Sequence, residues 1–308
     1  MSPSPRSTLR TLADRNSGLV VPGAYDGVSA RLVERTGFEA VYMTGYGTSA
    51  SRLGLPDLGF AGLAEMVENV RQMAAAVRIP LIADADTGYG GALAVQRTMR
   101  AYEAAGAAAL HIEDQTWPKR CGHLAGKEVV PCAEMVAKIE AAVEARTDPD
   151  FLLIARTDAI AVTGFDDAMA RAEAYAKAGA DLLFVEAPRT VEEVEAIPRR
   201  LEKPCLFNYA PTGRSPLLPV ARLRALGYAI VLLPVQTLFA AAHAMAGYLT
   251  ALRRTGEPGG LDDHLTSFAD FNALVGVPEM LERERRLRGK SARPVSARGS
   301  LDRPALLV

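Results

Sequence analysis

The 308-residue chain is 49% hydrophobic, enough for a sizeable buried core, and its formal net charge of −1 argues against a nucleic-acid-binding surface. Its apolar runs are short and broken by charge, which argues against a membrane span, and the first residues lack the apolar stretch of a secretory signal. Three cysteines are too few for a disulfide framework, so the chain reads as cytoplasmic, with neither nucleic acid nor membrane as partner.

Residues 1–18 read as an N-terminal extension. Beyond them, β-rich apolar segments recur as LVVPGAYD, AVYMTG, PLIADAD, ALHIED, FLLIART, DLLFVEA, PCLFNYA and AIVLLP. Ala-rich stretches of helical spacing lie between most of them, and several end in a glycine suited to a C-cap: Gly106, Gly179 and Gly227. Eight near-continuous apolar strands alternating with helices predict a parallel sheet covered by helices. At this length that favours a (β/α)8 TIM-type barrel over residues 19–250 rather than a doubly wound sheet. The pattern then changes: residues 251–287 read as a helical segment and residues 288–308, rich in Arg, Ser and Pro, as a flexible tail.

Polar residues collect at the strand ends: Asp26, Thr44, Asp84, Asp86, Glu113, Asp114, Arg156, Asp158, Glu186 and Asn208. Any one of them is first of all a helix-cap candidate. As a set they exceed what caps need, since Arg and Glu cap poorly, and the strand ends of a barrel converge on one mouth. The set therefore reads as a site.

Several motifs specify its chemistry. DADTGYG presents Asp84 and Asp86 just after a strand, with Glu113 at the next strand end; such hard oxygen donors suit Mg²⁺ or Mn²⁺, the alternative being capping aspartates. Arg156 places a permanent cation beside them, to hold a carboxylate or an enolate oxygen or to form a salt bridge with the acids. The Gly- and hydroxyl-rich turn MTGYGTSAS offers Thr44 and free N–H groups to an anion, and Asp57 follows on a loop expected to move. In EDQTWPKRCGHLAGK, Lys119, Arg120 and His123 flank Cys121. Neighbouring positive charge predicts a lowered thiol pKa and acid–base duty for this cysteine, whereas Cys132 and Cys205 read as packing.

These motifs, together with SRLGLPDLG and IARTDA, resemble the isocitrate lyase/phosphoenolpyruvate mutase superfamily from about Val20 to beyond Pro234. The resemblance implies a barrel whose last helix is swapped between subunits, with FNALVGVPEMLERERRL as candidate, in a homotetramer built as a dimer of dimers. It implies Mg²⁺, a small-molecule 2-hydroxy or 2-oxo acid, and bond making or breaking through an enolate. By position, Asp84, Asp86 and Glu113 match the metal acids, and Thr44, Gly45 and Tyr46 the turn that binds the carboxylate. Arg156 matches the oxyanion arginine; Glu186 and Asn208 match positions near substrate and metal. Asp57, Arg120 and Gly122 are added as substrate-binding residues, and Lys119 and His123 as catalytic ones. Tyr42 matches a tyrosine near the reacting hydroxyl, and Cys121 the acid that protonates the departing carbanion in the lyases.

Two positions depart from the pattern. Phe239 stands about where methylisocitrate lyases carry an arginine for a distal carboxylate, so a smaller or alkyl-substituted acid fits better than a tricarboxylate. Pro211 stands where many relatives have a glutamate. The combination points to an alkylmalate lyase of the 2,3-dimethylmalate type. A carboxyphosphonoenolpyruvate-type phosphonomutase, which shares the PKRCGHLxGK loop, is the strongest rival, and oxaloacetate decarboxylation or hydrolysis is a further alternative.

Overall fold

Eight parallel strands close into a barrel in chain order: β1 (Leu19–Ala24), β2 (Val41–Met43), β3 (Leu81–Asp84), β4 (Ala109–Glu113), β5 (Leu152–Thr157), β6 (Leu182–Val185), β7 (Cys205–Asn208) and β8 (Tyr228–Leu233). The computed structural model describes residues 3–14, 18–211, 213–258, 261 and 265–291. The helices are α1 (Pro5–Asp14), α2 (Gly27–Arg35), α3 (Gly45–Thr48), α4 (Leu63–Ala76), α5 (Ala92–Ala105), α6 (Cys132–Ala145), α7 (Phe165–Lys177), α8 (Val191–Arg200), α9 (Val220–Leu226), α10 (Gln236–Thr255), α11 (Phe268–Leu274) and α12 (Val277–Ser291). The expected (β/α)8 barrel is the fold observed. No helix among the described residues is long and apolar enough to cross a membrane.

The two-residue period of a strand sorts the barrel's side chains into two layers. Ile82, Ala109, Ile154, Phe184, Leu206 and Leu232 form part of one apolar cluster, with Leu9 and Leu12 of α1 joining it. Their strand neighbours Ala83, Leu110, Ala155, Leu183, Phe207 and Val231 belong to a second cluster shared with the surrounding helices. The N-terminal extension is thus partly structural, because α1 buries Leu9, Leu12 and Ala13.

Strand register then aligns the polar ends. Asp84 pairs with His111 across β3 and β4, and Glu113 with Arg156 across β4 and β5. Glycines terminate helices as expected: Gly106 and Gly227 adopt φ of 100° and 99° as C-caps, and Gly179 adopts 109° just beyond α7. The boundaries expected near 250 and 288 fall inside helices, since α10 runs to Thr255 and α12 to Ser291. The chain divides into two units, residues 1–262 and 263–308. The second contains α11, capped by Ser267 accepting from the Asp270 amide at 3.0 Å, and the highly charged α12. The rest of the expected tail, residues 292–308, lies outside the described residues.

Candidate active site

At the C-terminal mouth of the barrel lies a cleft of about 820 Å³, its open mouth included. Side chains in phase with the barrel interior reach it in steps of two: Tyr42 and Thr44, Phe184 and Glu186, Leu232 and Pro234. Asp84, Glu113, Arg156 and Asn208 complete that layer. The same parity corrects the strand-end set. Asp26 is out of phase and caps α2, accepting from the Ser29 amide at 2.7 Å. Asp114 is also out of phase, whereas Asp158 shares the parity of Arg156 but turns to pair with its guanidinium; neither lines the cleft.

Sixteen residues were expected in the site, and the cleft is lined by all of them except Gly45 and Asp86. Those two hold Asp84: the Gly45 amide donates to Oδ2 at 3.1 Å and the Asp86 amide to Oδ1 at 3.0 Å. A Cβ on Gly45 would sit 2.4 Å from Asp84 Oδ2, so only glycine permits this approach. Thr44, 1% exposed, caps α3 through the Gly47 amide.

Arg156 is locked in place. Asp158 accepts from Nε at 2.8 Å and from Nη2 at 3.1 Å, a bidentate clamp, while Phe184 stacks 4.9 Å from the guanidinium carbon. Its other neighbours face the cleft: Glu113 Oε2 at 3.3 Å from Nε and Glu186 Oε2 at 3.5 Å from Nη2. Asp158 also binds Lys127 at 2.7 Å. Asp114, under the same strand end, accepts from Thr157 Oγ1 at 2.7 Å and Tyr175 Oη at 2.8 Å.

The KRCGH segment forms a lid closed over the cleft. Residues 116–128 leave and rejoin the barrel at one neck, where Gln115 bridges Val129 and the Thr116 amide donates to Glu128 O at 2.9 Å. Gln115 holds Arg120 by donating to its carbonyl at 2.8 Å and accepting from its amide at 3.0 Å, leaving the Arg120 side chain exposed at the rim. Lys127 Nζ donates to Gly122 O at 2.5 Å, tying the lid's tip to Asp158. His123 Nδ1 accepts the Arg214 amide at 3.1 Å, and its Nε2 lies 3.3 Å from Glu186 Oε1. Asn208 Nδ2 reaches both Glu186 oxygens, at 3.2 and 3.1 Å.

Two expectations about this lid are corrected. The cations do not surround the thiol: Lys119, 4% exposed, turns inward to Asp57 at 2.5 Å and Asp86 at 2.7 Å. The Cys121 thiol is not activated either. Burial pushes it up to about 11, against a downward pull from the His123 amide, because desolvation outweighs the remaining positive charge. Cys121 is therefore a neutral S–H donor. Asp57, expected on a moving loop, is buried in its pair with Lys119.

The acids are a charge-deficient set. Asp57, Asp84, Asp86, Glu113, Asp158 and Glu186 are all buried, against the fixed cations Lys119, Lys127 and Arg156. Glu113 Oε1 is buried without a hydrogen-bond partner, and Lys119 approaches Asp86 Oδ1 outside hydrogen-bond alignment. Burial, reinforced by Asp84 and Asp57 and opposed by Lys119, raises the Asp86 carboxyl to about 7. Burial likewise holds Glu113 well above its ordinary value, although Arg156 opposes it. A divalent cation would relieve this excess of carboxylate. Among the described residues no three His, Cys, Asp or Glu side chains group tightly enough to hold an ion alone. Oxygen donors of this type fit Mg²⁺ bound through one or two carboxylates, with water and substrate completing its shell.

Sequence reading missed His111 and Lys127. His111 is fully buried and in phase with Glu113, two residues away on the same strand face; parity alone would have found it. Lys127 carried no signal, because its partners Asp158 and Gly122 O are brought to it only by the fold.

The far end of the cleft is apolar, formed by Leu232, Pro234, Val235 and Phe239 with Ala210 and Pro211. Tyr46 meets the Phe239 ring edge-on at 6.1 Å.

A protein-family profile described as phosphoenolpyruvate phosphomutase matches residues 9–253. A 2,3-dimethylmalate lyase of Eubacterium barkeri is 45% identical over 276 residues, 90% of this chain and 96% of that protein. Among solved structures, oxaloacetate acetylhydrolase bound to 3,3-difluorooxalacetate superposes with a TM-score of 0.88 at 39% identity, covering 92% of this chain and 97% of the other. Phosphonopyruvate hydrolase in complex with oxalate and Mg²⁺ does so with a TM-score of 0.82 at 32% identity, covering 96% of this chain and all of the other.

Proposed function

This chain belongs to the isocitrate lyase/phosphoenolpyruvate mutase superfamily, and from that premise we propose that it is a Mg²⁺-dependent carbon–carbon lyase. Its substrate is a 2-hydroxy dicarboxylate of the alkylmalate type, cleaved to a 2-oxo acid and a second carboxylate. The observation that carries this reading is the half-buried Cys121 thiol at a cleft lined by carboxylates and by an apolar wall, where desolvation favours its protonated form.

In this reading Asp84 would hold Mg²⁺ with Asp86 and Glu113 in support, and the bound ion would supply Lewis-acid stabilisation of negative charge on substrate oxygen. Thr44 and the turn after it, with Gly45 and Tyr46, receive the carboxylate of the 2-oxo acid portion. The hydroxyl proton passes to a carboxylate at this end, for which Glu113 Oε1 is the unpartnered acceptor. The C2–C3 bond breaks, its electron pair goes to C3 as an enolate, and Arg156 with its fixed guanidinium stabilises the developing oxyanion. Cys121 Sγ–H then protonates C3. The lid, latched by His123 and Lys127, excludes water that would otherwise compete for the carbanion.

Phe239 and its neighbours select the substituent. A charged distal group there would be desolvated without a partner, whereas an alkyl group gains about 0.8 kcal/mol per buried CH₂. Pro211 in the same wall favours one second reading, a phosphonomutase acting on a carboxyphosphonoenolpyruvate-type substrate. The assembly belongs to the same proposal: a homo-oligomer, a tetramer with its last helix exchanged. None of the twenty residues of α10 is buried, and Met245 and Leu249 lie exposed on it.

The test is release of 2-oxo acid from 2,3-dimethylmalate, other alkylmalates, methylisocitrate and oxaloacetate, with Mg²⁺ and with EDTA. Mg²⁺-dependent release from an alkylmalate supports the lyase. Silence across the panel, with turnover of a phosphonate substrate, replaces it with the mutase.

A further inference from the structure

Beneath the cleft floor, Tyr42 Oη lies 2.8 Å from His111 Nε2, and Asp84 Oδ1 lies 3.5 Å from the same nitrogen. His111 is fully buried, and its other ring nitrogen, Nδ1, has no hydrogen-bond partner. Phe184 closes one side of the ring, edge-on at 5.7 Å. These contacts decide where the imidazole proton sits.

With the proton on Nδ1, a buried N–H would have no acceptor, and the Nε2 lone pair would face the Asp84 carboxylate. Both arrangements are unfavourable: orphaned buried donors are rare, and two acceptors repel. With the proton on Nε2, the ring donates to Tyr42 Oη with the Asp84 carboxylate a favourable neighbour 3.5 Å from the same nitrogen, leaving only an unpartnered lone pair at Nδ1. The phenol oxygen then already accepts a hydrogen bond from below. Its own hydrogen is free to turn into the cleft that Tyr42 lines.

We propose that His111 is a positioning residue whose Nε2–H orients Tyr42 as a hydrogen-bond donor to a substrate oxygen in the cleft. Tyr42 then does not act as a base through His111, because the ring has no lone pair at Nε2 to take the phenol proton and no outlet at Nδ1. The substrate proton must leave by another group, and Tyr42 holds the oxygen that loses it. Only the identity of that oxygen rests on the lyase reading.

The experiment combines a spectroscopic and a kinetic arm. With four histidines in the chain, ¹⁵N-histidine NMR resolves each ring's tautomer. The expected result is a neutral Nε2–H ring for the signal that disappears in His111→Gln; an Nδ1–H ring overturns the proposal whatever the reaction proves to be. Kinetically, His111→Leu should lower kcat about 10- to 100-fold, the order expected for a misplaced reacting contact, with KM within about threefold. His111→Gln, which restores a donor near the Nε2 position, should recover most of that loss. In a Tyr42→Phe background His111→Leu should add nothing further, because both changes remove the same hydrogen bond. Full additivity of the two losses overturns the positioning role. A chain inactive on the whole substrate panel, yet showing the Nε2–H tautomer, overturns the lyase reading and leaves the tautomer standing.

Discussion

Gly122→Ala is the substitution whose consequence follows most directly from the geometry. A Cβ at this position would lie 2.4 Å from Arg156 Nη2, 2.7 Å from Glu186 Cγ and 2.8 Å from Glu186 Cδ. Ordinary contact begins near 3.4 Å, so the shortfall against the guanidinium is about 1 Å, the scale at which misplacement costs about 100-fold in rate. Arg156 has no room to retreat, because Asp158 clamps it bidentately and Phe184 stacks on it. Glu186 is held at both oxygens by Asn208. The lid must move instead, carrying Cys121 away from the carbon it is proposed to protonate. The variant should lose about 100-fold in kcat for 2-oxo acid release, while its melting temperature stays within about 2 °C, since the barrel core is untouched. Wild-type turnover by a folded Gly122→Ala protein would refute the assignment of this lid contact, and with it the closed lid as the catalytic form.

Cys121→Ser should retain substrate binding and lose at least about 100-fold in turnover, as removal of a general acid does. Because burial raises the Cys121 thiol to about 11, it stays protonated through neutral pH, and its loss as an acid should appear only as pH approaches that value. An alkaline limb near pH 8 that is absent from Cys121→Ser would contradict this. Asp86, raised by burial to about 7 in the metal-free protein, is partly protonated at pH 6.5 and ionised by pH 9. Mg²⁺ binding should therefore release more protons at pH 6.5 than at pH 9, measured by titration calorimetry in buffers of different ionisation enthalpy. Equal release at both pH values would rule Asp86 out as the source. Phe239→Arg should shift kcat/KM toward methylisocitrate relative to 2,3-dimethylmalate by at least about tenfold, by supplying a partner for the distal carboxylate. An unchanged ratio would remove Phe239 from the specificity wall.

The barrel, and most of the residues that line the candidate site, are legible in the sequence. Eight apolar segments separated by helical stretches have few ways to bury their faces, and parallel strands joined by crossover helices put every strand end on one rim. Asp84, Glu113, Arg156, Glu186 and Asn208 were legible for that reason: each breaks an apolar run at its C-terminal end. Strand parity, which separates them from Asp26 and Asp114, was present in the sequence too, and it marks His111 as an interior residue. The state of each charge, by contrast, depends on the fold. Near neighbours in sequence predicted an activated thiol beside Lys119, but in the fold that lysine turns to Asp57, sixty-two positions away, and to Asp86. Cys121 is left in a desolvated niche that favours its neutral form. Charge balance and desolvation depend on what surrounds a group in three dimensions, and in a barrel those surroundings come from strands far apart in the chain.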